Sequence, residues 1–202
     1  MSDTVTRSSD SPDLPARLRS ETRAVHDAVE RALRLLDPAL TLDVYRARLE
    51  RLWGLYAPLE AALEAAGPTL HGLDLPDRRK TPWIETDLRA LGADGVARLP
   101  RCRALPALRD EAERLGCLYV IEGATLGGRV ISRHVERALG IGPSDGARFH
   151  AGYGERTGER WRAVQGALAS LDAGDGAHDR AVAAARATFA SLHDWCAATE
   201  PA

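Results

Sequence analysis

Apolar residues recur at three- and four-residue steps along most of the chain, which is the spacing of one face of an α-helix. The first stripe reads Leu14, Leu18, Thr22, Val25, Val29, Leu33 and Leu36, with Arg and Glu on the opposite face. Ahead of it, residues 1–12 are rich in Ser, Thr and Asp, a composition expected of a disordered leader before a domain spanning 13–202. Thr41 and Asp43 open a second helix, striped by Val44, Leu49, Leu52, Leu55, Leu59 and Leu63, with a kink expected at Pro58 and a stop at Gly67-Pro68. Thr81-Pro82 reads as a cap followed by proline at the first helical position, starting a shorter helix that Gly92 closes. Beyond a connection through Pro100 and Pro106, a long helical pattern runs from about Leu108 to Leu139. The loop GIGPSDG, a helix from about Glu155 to Leu171, the break AGDG and a last helix from about His178 to Ala198 complete the chain. No strand and no internal repeat are predicted. The expectation is an all-α fold, five to seven helices packed as a single-domain bundle.

Composition agrees with that reading. Ala, Leu, Arg and Glu dominate the 202 residues, and aromatics make up only 5%. The 18 glycines are many for a helical protein, because each one inside a helix costs about 1 kcal/mol relative to Ala. A net charge of −2 gives no general grip on nucleic acid or on an anionic membrane, and no segment approaches 18 uninterrupted apolar residues. The three cysteines, Cys102, Cys117 and Cys196, have neither CxxC nor zinc-like spacing, so a reducing cytoplasm is expected. Lys80 is the only lysine.

Two features carry chemistry. His26 sits beside the first apolar stripe with Glu30 one turn later, and a ligating histidine normally gives its second ring N–H to such a carboxylate. Ordinary packing would produce the same pattern. Gly123, Gly127 and Gly128 fall within an otherwise strongly apolar helix, where they strip side chains from a face. That serves either a tight helix contact or the close approach of a flat partner. Together, a histidine-bearing helix and a glycine-stripped helix suit a planar tetrapyrrole held between them.

The residues LRSETRAVHDAVERAL and YVIEGATLGGRVISRHV resemble the proximal and distal helices of heme oxygenases, particularly the bacterial biliverdin-producing type often associated with bacteriophytochromes. The segment FHAGYGERTGERW resembles that group's pattern downstream of the distal helix, and the likeness spans roughly residues 14 to 196. The resemblance implies that His26 is the axial heme-iron ligand, that Glu30 orients it, and that the Gly123, Gly127 and Gly128 backbone lies over the heme. It further implies heme as both substrate and cofactor, consumption of O2, and biliverdin, carbon monoxide and ferrous iron as products. Electrons would come from an external donor such as a ferredoxin or a flavoprotein reductase, and a bacteriophytochrome is a possible recipient of the biliverdin. Arg19 and Arg23, two turns and one turn before His26, match positions where the family places basic residues for the heme propionates, and Tyr153 and Arg160 are further candidates. One departure stands out: mammalian-type members have an Asp directly after the first distal glycine, where this chain has Ala124.

Other assignments fit less well. The Glu-x-x-His pairs of di-iron bundles are absent, and nothing in the sequence activates Cys117 beside Glu122 as a hydrolase nucleophile. A heme-binding or heme-sensing protein without turnover is the main alternative. Among the other histidines, His193 and His150 are poor ligand candidates, and His71, His134 and His178 read as surface residues.

Overall fold

The structure, a computed structural model, describes residues 13–198. The expected leader, residues 1–12, lies outside the described residues. The fold is an all-α bundle of α1 (Leu14–Leu33), α2 (Leu42–Ala65), α3 (Thr81–Ala90), α4 (Glu111–Leu139), α5 (Arg148–Ala151), α6 (Thr157–Ala169) and α7 (Ala177–Ala197). None of these helices is long and apolar enough to cross a membrane.

Local chemistry explains where the helices begin. Asp13 caps α1 by accepting from the Ala16 N–H at 3.0 Å. Thr41 accepts from Val44 at 3.3 Å at the start of α2. The long helix α4 starts at Glu111 rather than Leu108 because Asp110 is extended and accepts from the Glu113 N–H at 2.8 Å, while Glu113 reaches back to the Arg109 N–H at 2.6 Å. This reciprocal pairing is a variant of the capping box. Helix α2 continues through Pro58. An interior proline costs about 3 kcal/mol, and burying Leu55 and Leu59, each worth about 1.5–3 kcal/mol, offsets it.

Three expectations need correction. Thr81 does not cap α3; it is the first helical residue, and the cap is the carboxylate of Glu60 on α2, which accepts from the backbone of Lys80 at 2.6 Å and of Thr81 at 3.2 Å. The helix expected over 155–171 is shorter, because a 3-10 turn at Gly154–Arg156 precedes α6. A small hairpin also forms, β1 (Thr69–Leu70) pairing antiparallel with β2 (Leu73–Asp74) through a turn in which His71 and Gly72 both have positive φ. Two-residue strands are too short to show a period-two pattern.

The last helix organises the bundle, packing against both α1 and α4. Its buried face is largely alanine, with Ala181, Ala184 and Ala185 in the core. At the crossing with α4, a Cβ on Gly116 would collide with the Ala181 carbonyl, so the two backbones are in direct contact. Close approach of small residues thus supplies packing that the few aromatics do not.

Candidate functional site

A cavity of about 350 Å³ opens between α1 and α4, backed by α2, α5 and α7 and walled at one end by Trp161 of α6. Its size is that of a small-molecule site. The lining is mostly apolar. Thr188, one of its few hydroxyls, is already bonded to the Ala184 carbonyl at 2.8 Å.

His26 lines this cavity from α1 with half of its side chain exposed. The ring is set edge-on against Phe189, with centroids 5.5 Å apart and planes at 86°. Its two nitrogens lie beside different carboxylates: Nε2 is 3.8 Å from Glu30 and Nδ1 is 3.7 Å from Asp27. One nitrogen can therefore be supported by an acid while the other offers its lone pair. The Asp27 contact was not foreseen. His26, Asp27 and Glu30 bring their ligand atoms within 4.8 Å of one another, the only such group of three among the described residues.

The distal glycines divide. Gly123 and Gly127 line the cavity. A Cβ at Gly127 would meet nothing within 4 Å, and one at Gly123 would stop 3.7 Å from Trp161. Gly128 is absent from the lining, contrary to expectation: a Cβ there would collide with the His150 carbonyl, so this glycine lets α5 sit directly on α4. The tight-contact reading holds at Gly128, while Gly123 and Gly127 give the cavity a wall without side chains.

Arg19 and Arg23 are exposed on α1 and enter no ion pair among the described residues. Neither lines the cavity, although Arg19 lies close enough to the cavity residue Tyr119 for its charge to act on that phenol. Tyr153 and Arg160 are not brought to the cavity at all. The Tyr153 hydroxyl donates to Glu122 at 2.9 Å, and Arg160 is held by Asp77 at 2.7 Å while stacking over the Tyr153 ring. They belong to a buried charge cluster behind α4 and are not free to meet a ligand's carboxylates.

Tyr56 and His150 are among the lining residues not foreseen. Tyr56 of α2 is buried, and burial beside the Glu60 and Glu122 carboxylates pushes its hydroxyl up so that it stays protonated. His150 is 4% exposed, and its Nε2 has no hydrogen-bond partner. Burial brings its imidazole down to about 3, so it is neutral at ordinary pH. An orphaned polar atom in the wall of an apolar cavity is the kind of group that a ligand or ordered water satisfies. It sits there because α5, which falls between the predicted helices, is a helical turn whose start is capped by Asp87 of α3. That carboxylate accepts from the Arg148 and Phe149 N–H groups at 2.7 and 2.8 Å. A cap 61 residues away leaves no local signature in sequence.

The family model for heme oxygenase matches residues 12–198. A heme oxygenase of Xanthomonas campestris pv. campestris (strain 8004) is 36% identical over 159 residues, covering 77% of this chain and 90% of that one. Among solved structures, the NO- and CO-bound heme oxygenase from Neisseria meningitidis superposes with a TM-score of 0.73 at 22% identity, covering 95% of this chain and 96% of the other. The heme oxygenase from Leptospira interrogans also gives 0.73, at 21% identity, covering 92% and 99%. A histidine and bare glycine backbone around one apolar cavity, on this fold and with these relatives, place the chain in the heme oxygenase family.

Proposed function

We propose that this chain binds heme in the cavity between α1 and α4 and cleaves it, with O2 and electrons from an external donor, to biliverdin, carbon monoxide and ferrous iron. The observation that carries this reading is that His26 of α1 and the side-chain-free Gly123 and Gly127 of α4 line one apolar cavity. The residues fit the substrate. The His26 imidazole, steadied by Glu30 or Asp27 at one nitrogen, offers the other to iron. Gly123 and Gly127 leave room for a flat ring against the helix backbone. Arg19 and Arg23, exposed on α1 and in no ion pair among the described residues, are available for the substrate's carboxylates as bidentate donors.

Bound there, heme supplies the iron that activates O2 and is itself the molecule oxidised. The chain's contribution is orientation and control of water and protons. Phe149, Trp161 and Leu192 give the cavity an apolar lining that offers water no hydrogen bonds. Ala124 brings no carboxylate, so protons are handled by waters on the groups this cavity does present, the protonated Tyr56 hydroxyl and the neutral His150 ring. Neither carries a charge that the apolar wall would have to solvate.

Hemin titrated into the purified protein should give a one-to-one Soret complex, and reductant with O2 should convert it to a biliverdin spectrum. A stable complex that never turned over would instead make the protein a heme carrier or sensor. His26→Ala should weaken hemin binding and turnover by on the order of a hundredfold, with partial rescue by imidazole. Normal turnover by that variant without imidazole would refute the ligand assignment.

A further inference from the structure

The chain's only lysine is also among its most buried residues, with Lys80 at 0% exposure. An ammonium group is costly to bury unless its protons are taken up. Here they are: Lys80 Nζ donates to the Arg78 carbonyl at 2.7 Å, to the Tyr153 hydroxyl at 3.1 Å and to the Glu122 carboxylate. Arg78 donates to the other oxygen of Glu122 at 2.6 Å. Glu60 takes the Lys80 backbone N–H.

None of the cluster lines the cavity, yet three of its members lie within four residues of cavity-lining ones in the chain. Glu122 immediately precedes Gly123 on α4, Glu60 lies one turn beyond Tyr56 on α2, and Tyr153 follows His150 by three residues. Lys80 bonds to all three, through side chain or backbone. A buried ion cluster is seldom a better source of stability than apolar packing of the same volume, and its distinctive property is directional bonding that fixes geometry.

We infer that Lys80 is a positioning residue, which from behind the helix holds the α4 backbone at Gly123 and Gly127 in register with Tyr56 and His150. The inference rests on the heme oxygenase reading for its effect on turnover, but not for its effect on α4.

Lys80→Met keeps the length of the side chain and removes the charge. Its readouts are amide hydrogen exchange in the ligand-free protein, the C–O stretching band of the CO complex, and kcat and KM. Exchange over residues 122–128 should quicken about tenfold, with that of Ala181–Ala185 in α7 unchanged. The C–O band should broaden or split. Hemin affinity and KM should stay within about threefold while kcat falls about tenfold or more, because a shift of the order of an ångström far from the chemistry is enough to do so. A lowered melting temperature with unchanged local exchange, band and kcat would reduce Lys80 to structural glue and overturn the inference. Tyr153→Phe, which removes one hydroxyl and no charge, covers the case in which Lys80→Met does not fold; it should move the same readouts in the same direction by less, and no movement would count against the inference. Should the wild-type protein bind hemin without turnover, the proposed function fails, whereas exchange and the C–O band still decide the role of Lys80.

Discussion

Replacing His150 with Phe should remove a defined part of the protein's sensitivity to mild acid. In the unfolded chain an imidazole titrates near about 6.5. In the fold, burial holds His150 down to about 3. Below pH 6.5 the unfolded state therefore takes up a proton that the native state refuses, and native stability falls by about 1.4 kcal/mol for each further pH unit until about pH 3. Between pH 8 and pH 5 the loss integrates to about 2 kcal/mol, a large fraction of the 5–15 kcal/mol typical of a domain. Asp37, Asp77, Asp110 and Glu113, held below the usual carboxylate range by hydrogen bonds from backbone and arginine, lose their contribution only at lower pH. Glu60 and Asp87, pushed up by burial, act in the opposite sense. All of these are shared by the two proteins, so urea denaturation of each at pH 8, 6.5 and 5 isolates the imidazole. The variant should lose about 2 kcal/mol less than the wild type across that range. Parallel losses would mean that the His150 ring reaches water in the native state, and the argument for a neutral cavity imidazole would fall with it.

Two glycine substitutions separate packing from ligand space. Gly127→Leu adds a side chain where nothing lies within 4 Å, so it should raise thermal stability by about 0.5–1 kcal/mol through helix propensity while lowering hemin affinity at least tenfold. Calorimetry with a hemin titration checks the two opposite signs, and unchanged affinity would mean that the glycine does not face the ligand. Gly116→Ala should cost about 3 kcal/mol in urea melts because the added methyl meets the Ala181 carbonyl, whereas Gly166→Ala, helical and facing open space, should stabilise by about 0.5–1 kcal/mol. Equal effects at the two positions would contradict the backbone contact between α4 and α7.

The periodic stripes made the fold legible: of the first stripe Leu14, Leu18, Thr22, Val29 and Leu33 are the buried residues of α1 and Val25 is half-buried, whereas Leu36 falls beyond the helix and is exposed. Likewise, the spacing of Gly123 and Gly127 pointed to a face without side chains, and both line the cavity. What pattern alone left open was the use of that face: Gly127 looks into space and Gly128, its neighbour, into the backbone of α5. Periodicity gives direction around a helix but not the identity of whatever stands opposite.

Three other differences share one cause. Thr81 looked like a cap because it precedes a proline, yet the group that reaches the free N–H donors of α3 is Glu60, 21 residues earlier. The same holds for α5, whose helical turn depends on Asp87, and for Tyr153, whose phenol was available to a ligand until Glu122 and Lys80 engaged it. Short-range physics (helix propensity, apolar period and local capping) is carried by neighbours in the chain, and by itself it determined an all-α bundle with a histidine helix and a glycine helix. Hydrogen bonds between buried charges are satisfied by whichever group the packed helices bring within 3 Å or so, and only the tertiary structure decided that His150 faces the cavity while Lys80 is buried behind it.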